Sequence, residues 1–313
     1  MVYGLIAIGA VVAMAIYMTV NLTKPQTPTI EGIDETEKAP SIKLKYPTWA
    51  LIVGNSSTNP NTYGSENKLA GVGADLKRVH SFLCRYGAIK NSKGNVLGSF
   101  FSDTMNNALS TSTAYLEAIN KIAEQGKKVS GKKMLVIYES GHGSQVPSPS
   151  DNDPDKMAET RVFYDKMLLD DETREYIVRT LGSDWQVLNI VDRCHSGGLA
   201  RGIGKMGTVK SISASDAGVE KAVVPNTVDR GVALLKIQSA AKEGTYAYDN
   251  GAVDGGMFTR AYFGRLNELN GDISYGALNE YAARMCGKKQ VPEIQDALGQ
   301  DQSSWNIMSK FLN

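Results

Sequence analysis

Four short apolar runs set the terms for what this chain can fold into. They read "TWALIVGN" (48–55), "KKMLVIYE" (132–139), "DWQVLNIVD" (184–192) and "GVALLKIQSA" (231–240). Runs of this length, apolar on consecutive residues, are the mark of strands buried on both faces. Between them the spacing changes. Val72, Leu76, Val79, Phe82 and Leu83 recur at helical intervals within 71–86, and Tyr115, Leu116, Ile119 and Ile122 do so within 112–124. Asp170, Asp171 and Glu172 open a further helix, where the dipole favours negative charge. Two more helices are expected over 258–269 and 274–285. Strands alternating with helices predict an α/β fold, a mostly parallel central sheet with helices on both faces. In such a sheet the functional site lies past the carboxyl ends of the strands.

Two of the runs end on reactive side chains. "MLVIYESGHGSQ" leads into Ser140, Gly141, His142 and Gly143, and "NIVDRCHSGG" into Asp192, Arg193, Cys194 and His195. A thiol nucleophile needs an imidazole to take its proton and later return it to a leaving amine. Cys194 and His142, each just past a strand, can meet at one rim. The flanking glycines leave room for a substrate and let backbone N–H groups point at a developing oxyanion. His195 adjoins the nucleophile, but adjacent residues rarely face each other, so a structural role is expected. His80 lies on a helix and reads as a packed or solvated residue. Cys84 and Cys286 read as packing residues. Three cysteines cannot all pair, and their spacing fits no zinc site. The 42% hydrophobic content supplies a packed core, and a formal charge of +1 leaves no nucleic-acid footprint.

The N-terminus differs in kind. Residues 2–20, "VYGLIAIGAVVAMAIYMTV", carry no charge and are long enough to cross about 30 Å of hydrocarbon as a helix. Tyr3 and Tyr17 suit the headgroup level. A single-pass transmembrane anchor is expected over 1–21. A cleaved signal peptide is the competing reading, although no Lys or Arg precedes the run. Lys24, Lys38, Lys43 and Lys45 follow it, which by positive-inside counting leaves the bulk of the chain in the cytoplasm. The proline-bearing stretch 22–47 reads as a flexible linker, and 48–313 as the folded domain.

"YESGHGSQV", "LLDDE" and "VDRCHSGG", in this order, resemble the metacaspase and orthocaspase branch of the caspase-like cysteine peptidases, peptidase family C14. The likeness runs from about residue 48 to about 284 and takes in "LAGVGADLKRVHSFL" and "IQSAAKEGTYAYDNG". It implies a caspase-like three-layer sandwich and a cysteine endopeptidase acting through a Cys–His dyad. His142 would be the general base and acid, Cys194 the nucleophile, and Gly143 and Cys194 the oxyanion donors. Asp75 and Asp192, with Ser140, would line a pocket for Arg or Lys before the scissile bond. Glu243 falls at the end of a pocket wall, beside Thr245. The substrate would be a protein or peptide, and the peptidase domain a monomer. Many members bind calcium through a D-D-E segment, which here corresponds to Asp170 and Asp171, with Asp153 or Asp155 as partners. The competing reading is that Asp170, Asp171 and Glu172 merely cap a helix.

Two residues depart from the family pattern. Glu139 stands where an aromatic or apolar residue is usual, and is expected either to act on His142 or to face solvent. Arg193 stands where a small residue is common. It can pair with Asp192 and weaken a preference for basic substrates, but neighbours in an extended stretch face opposite sides, so its side chain is expected to point away. "SQVPSPSDNDPDKMAET" (144–160) reads as a long polar loop, and the stretch after Cys194 as a mobile one. Arg201, Lys205, Lys210, Lys221 and Arg230 in that stretch read as solvated surface, and as a natural place for self-cleavage. Two alternatives stand beside the peptidase: a catalytically inactive membrane-tethered interaction module, and a legumain-like peptidase cutting after Asn.

Overall fold

The computed structural model describes residues 46–56, 68–85, 100–102, 110–148, 156–194, 203–204, 207–225, 231–242, 245–288 and 290–297. The run 2–20, most of the linker, Asp153, Asp155, His195, Arg201, Lys205, Arg230 and Glu243 lie outside them. Among the described residues no helix is long and apolar enough to cross a membrane.

The chain runs through β1 (Thr48–Gly54), α1 (Val72–Arg85), β2 (Phe100–Ser102), α2 (Ser112–Gly126), β3 (Lys133–Ser140), β4 (Gly143–Pro147), β5 (Met157–Val162), β6 (Met167–Leu169) and α3 (Asp170–Leu181). It continues through β7 (Trp185–Asp192), β8 (Ile203–Gly204), β9 (Gly207–Val209), α4 (Ala214–Ala217), β10 (Leu234–Ser239), β11 (Tyr248–Asp249), α5 (Met257–Glu268), α6 (Tyr275–Cys286) and β12 (Glu293–Ala297). The main sheet has the order β12-β10-β7-β3-β1-β2, parallel except for β12. The four apolar runs are its four inner strands, and the expected helices form.

Side chains alternate across each strand, and each set meets its own helices. Ala50 and Ile52, Met134, Val136 and Tyr138, and Leu188 and Ile190 pack with residues of α1, α5 and α6. Trp49, Leu51 and Val53, Leu135 and Ile137, and Val187 and Val191 pack with residues of α2 and α3 on the other face. Burying one such side chain is worth about 1.5–3 kcal/mol. This is why most positions of these strands are apolar, with Asn189, Lys236 and Gln238 as buried exceptions inside them.

Two expectations are corrected. The described ends of the stretch 144–160 are not loop. They form β4 and β5, paired antiparallel from Gly143 opposite Arg161 to Pro147 opposite Met157, and β6 completes a second sheet. The outer halves of β4 and β5 are only partly buried, so they need no apolar run and leave no run to recognise. The stretch after Cys194 is not uniformly mobile and solvated either. β8 and β9 pair within it, β9 joins β11, and Lys210 is fully buried.

Candidate active site

Strand register brings the reactive residues together. β3 and β7 are parallel neighbours, with Ser140 opposite Asp192. His142 and Cys194 each follow two residues beyond that pair, just past the ends of β3 and β7. Both are buried. The two strand ends touch directly. Arg193 Nη1 donates to the carbonyl oxygen of His142 at 3.0 Å, and a Cβ on Gly143 would run into the carbonyl of Cys194.

Alternation then sorts the side chains at the strand ends. Ser140 and Asp192 continue the face that packs on α1 and α5, and there they meet Asp75 of α1. Ser140 Oγ donates to Asp75 Oδ2 at 2.9 Å. Gly256 N–H donates to the other Asp75 oxygen at 2.8 Å, and Thr259 Oγ1 donates to Asp192 at 2.5 Å. Asp75, Ser140 and Asp192 are all fully buried. Two carboxylates in one closed pocket demand a cation, and the chain supplies one. Lys210 Nζ lies 3.1 Å from Asp75 Oδ2, 3.1 Å from Asp192 Oδ1 and 2.9 Å from Ser140 Oγ.

The backbone of Lys210 is held just as closely. Its carbonyl oxygen accepts from Gly143 N–H at 3.0 Å and Cys194 N–H at 3.3 Å. These are the two donors expected to face an oxyanion. On one side of the residue, Lys210 N–H donates to the Ala247 carbonyl at 2.9 Å, and Val209 pairs with Tyr248. On the other, Ile212 N–H donates to the Gly143 carbonyl at 3.1 Å. The segment from Thr208 to Ile212 therefore lies across the site as an added strand, the way an extended peptide binds a sheet edge.

The charges follow from this geometry. Burial raises Asp75 to about 6, with the Lys210 ammonium pulling it down and the Asp192 carboxylate pushing it up. Burial alone would lower Lys210, but Asp192 and Asp75 overcome it and leave the amine above its ordinary value. Cys194 is pushed up to about 12 by burial, against the Ala247 N–H that donates to its sulfur at 2.9 Å. Under the Lys210 segment the thiol therefore keeps its proton.

The opposite face carries a second charge cluster. Glu139 neither faces solvent nor stands alone, being fully buried. Arg161 Nη1 donates to Glu139 Oε1 at 3.0 Å, Tyr115 OH to the same oxygen at 3.1 Å, and Arg193 Nε lies 3.6 Å from Oε2. Arg193 points away from Asp192, as alternation requires, and lies over the Phe163 ring at 5.4 Å. It also donates to the Val162 carbonyl at 3.0 Å. Thus the two departures from the family pattern are partners of each other.

The acids proposed for calcium do not fit it as they stand. Arg161 Nε donates to Asp170 Oδ1 at 3.0 Å. Asp171 is exposed and pairs with Arg174. Among the described residues no three His, Cys, Asp or Glu side chains are grouped to hold a metal ion. Asp170 and Asp171 do open α3, without a side-chain cap from Leu169. His80, half expected in solvent, is buried beside Cys84. Sequence reasoning missed Thr259, Ala247 and the seat of Lys210. The available signal was "GTVKS", a short β-forming run ending in a basic residue before a small one.

Residues 49–201 match the family model of the metacaspase peptidase C14 domain. Over 182 residues the chain is 26% identical to Metacaspase-1 from two strains of Saccharomyces cerevisiae, covering 56% of this chain and 39% of the relative. The match thus spans about two fifths of the length of these curated relatives. A crystal structure of a Geobacter sulfurreducens protein superposes with a TM-score of 0.62 at 18% identity, over 85% of this chain and 98% of that one. Caspase-1 from Spodoptera frugiperda superposes with a TM-score of 0.51 at 15% identity, over 86% and 93%. At these identities the two structures speak for the fold alone. Residues 49–201, which include the motifs around His142 and Cys194, are thus similar to the metacaspase peptidase C14 domain.

Proposed function

We propose that the chain is a cysteine endopeptidase that cuts after Lys or Arg, and that its own Lys210–Ser211 bond is a substrate. One observation carries this reading: Lys210 fills the acidic pocket while its carbonyl oxygen accepts from Gly143 and Cys194 N–H. That is the arrangement a bound substrate needs, with the side chain selected and the carbonyl polarised together. Cys194 attacks the Lys210 carbonyl carbon and His142 takes the thiol proton. The C–N bond to Ser211 breaks as His142 protonates the leaving amine. Water then hydrolyses the thioester, releasing a Lys210 carboxylate and the free thiol. Before that cut the same segment blocks the pocket against other substrates. In this reading 2–20 anchors the chain in a membrane, 22–47 is a tether, and 48–313 is a monomeric peptidase domain on the cytoplasmic side.

A panel of peptides with Lys, Arg, Asn or Asp before the cleaved bond tests specificity on the full-length protein. Hydrolysis of the Lys and Arg peptides, lost in Cys194→Ala, is expected. Turnover of the Asn peptide alone would give the pocket to a legumain-like reading. Folded protein that cuts none, and whose Cys194 takes no active-site thiol probe, would point to an inactive interaction module.

The raised Asp75 adds a pH signature. Above about pH 6 Asp75 is charged and pairs with a basic side chain; below it the carboxyl takes a proton and one of the pocket's two charges is lost. Once Lys210 has left, its lowering pull on Asp75 is lost, so KM for a Lys peptide should rise as pH falls through a value above about 6. Asp75→Asn should remove that step while leaving a weaker, flatter profile. A step unchanged in Asp75→Asn would assign it to another group.

A further inference from the structure

The cluster around Glu139 reaches beyond the pocket. Arg161 is 2% exposed and is held from several sides. It donates to Asp170 at 3.0 Å, to Glu139 at 3.0 Å and to Tyr115 OH at 3.2 Å, and its backbone lies opposite Gly143 in the β4–β5 pairing. Arg161 thus ties the start of α3 to the residue following His142. Beside it is a cavity of about 130 Å³, whose charged lining is Glu159 and Asp170 with Arg161 and Arg174. Of the two acids in that lining, Asp170 is paired with Arg161.

Calcium bound at Asp170 would need six to eight oxygens at 2.3–2.6 Å. Arg161 Nε is 3.0 Å from Asp170 Oδ1, so an ion bound to that oxygen would lie no more than about 5.6 Å from that nitrogen.

We propose that Arg161 is the resident cation of this site: its guanidinium stands between Glu139 and Asp170 where a metal ion would have to stand, and it positions the His142 strand end without calcium. Arg161 is a positioning residue, since it acts through the Glu139 and β4 segments and touches no reacting atom. The inference does not depend on peptidase activity, so its test uses the full-length Cys194→Ala chain, which does no chemistry. After chelation, calcium is titrated while heat and the thermal unfolding midpoint are recorded. No saturable heat from this site and an unchanged midpoint are expected; a micromolar site would raise the midpoint by several degrees at millimolar calcium. Saturable binding that Asp170→Asn abolishes would overturn the proposal, and binding that survives Asp170→Asn lies elsewhere on the chain and leaves it standing. Arg161→Gln removes the cation that Glu139 and Asp170 share and should gain a calcium-dependent rise in midpoint, whereas Arg161→Lys should not. A folded Arg161→Gln chain without that rise would also overturn it. Should Arg161→Gln fail to fold, the titration of the Arg161-bearing chain decides alone.

Discussion

Full-length protein kept at neutral pH should be found cut once between Lys210 and Ser211, into pieces of residues 1–210 and 211–313. Cys194→Ala should stay whole, a loss of at least about four orders of magnitude in rate. The bond is held in the chain's own cleft, so the cut should be first order and independent of protein concentration. Lys210→Arg should still be cut, because a guanidinium also answers the two pocket carboxylates. Lys210→Met should slow the cut by roughly three orders of magnitude, because it leaves those carboxylates buried without a partner. Intact mass and N-terminal sequencing of the fragments read all four outcomes. A cut surviving in Cys194→Ala, or one elsewhere with Lys210–Ser211 intact, would sink the assignment of this bond. The resting thiol at about 12 sets the tempo. The first cut should be slow, and alkylation of Cys194 should quicken once the Lys210 segment has left the cleft.

What could be read from sequence divides along one physical line. Residues buried against apolar neighbours announce themselves locally, because burial on both faces keeps most positions of β1, β3, β7 and β10 apolar. The same alternation foretells that Arg193 turns away from Asp192. Lys210 gave no such sign. Its burial depends on Asp75, Ser140 and Asp192, which come from three distant segments, and by itself a lysine in a Gly- and Ser-rich stretch looks solvated. Glu139 misled for a related reason. A carboxylate at the end of a buried strand costs several kcal/mol unless paired, and its partners Arg161 and Arg193 lie 22 and 54 residues later in the chain. The hairpin of β4 and β5 was hidden because its strands are half exposed. β2 and β12 are short strands at the two edges of the sheet.

Glu139→Leu should destabilise the domain by about 3–5 kcal/mol, since it strips the shared carboxylate from two buried guanidiniums. Arg193→Ala should cost a similar amount, because it removes a partner of Glu139 and the donor to the His142 and Val162 carbonyls. Arg161 would still neutralise part of Glu139, which places Arg193→Ala toward the lower end. The double variant Glu139→Leu with Arg193→Ala restores the apolar and small residues usual in the family. It should lose clearly less than the two single losses added together, a coupling of roughly 1–3 kcal/mol by a double-mutant cycle in denaturant unfolding. Strict additivity would mean that the 3.6 Å contact carries no energy and that each residue acts alone. Turnover separates packing from positioning. If Arg193 fixes the His142 backbone, Arg193→Ala should lower kcat for a Lys peptide while leaving KM nearly unchanged, because the pocket acids lie on the other face of the sheet. A rise in KM instead would mean that the disturbance had passed through β7 to Asp192, and that the two faces are less independent than the alternation of side chains makes them.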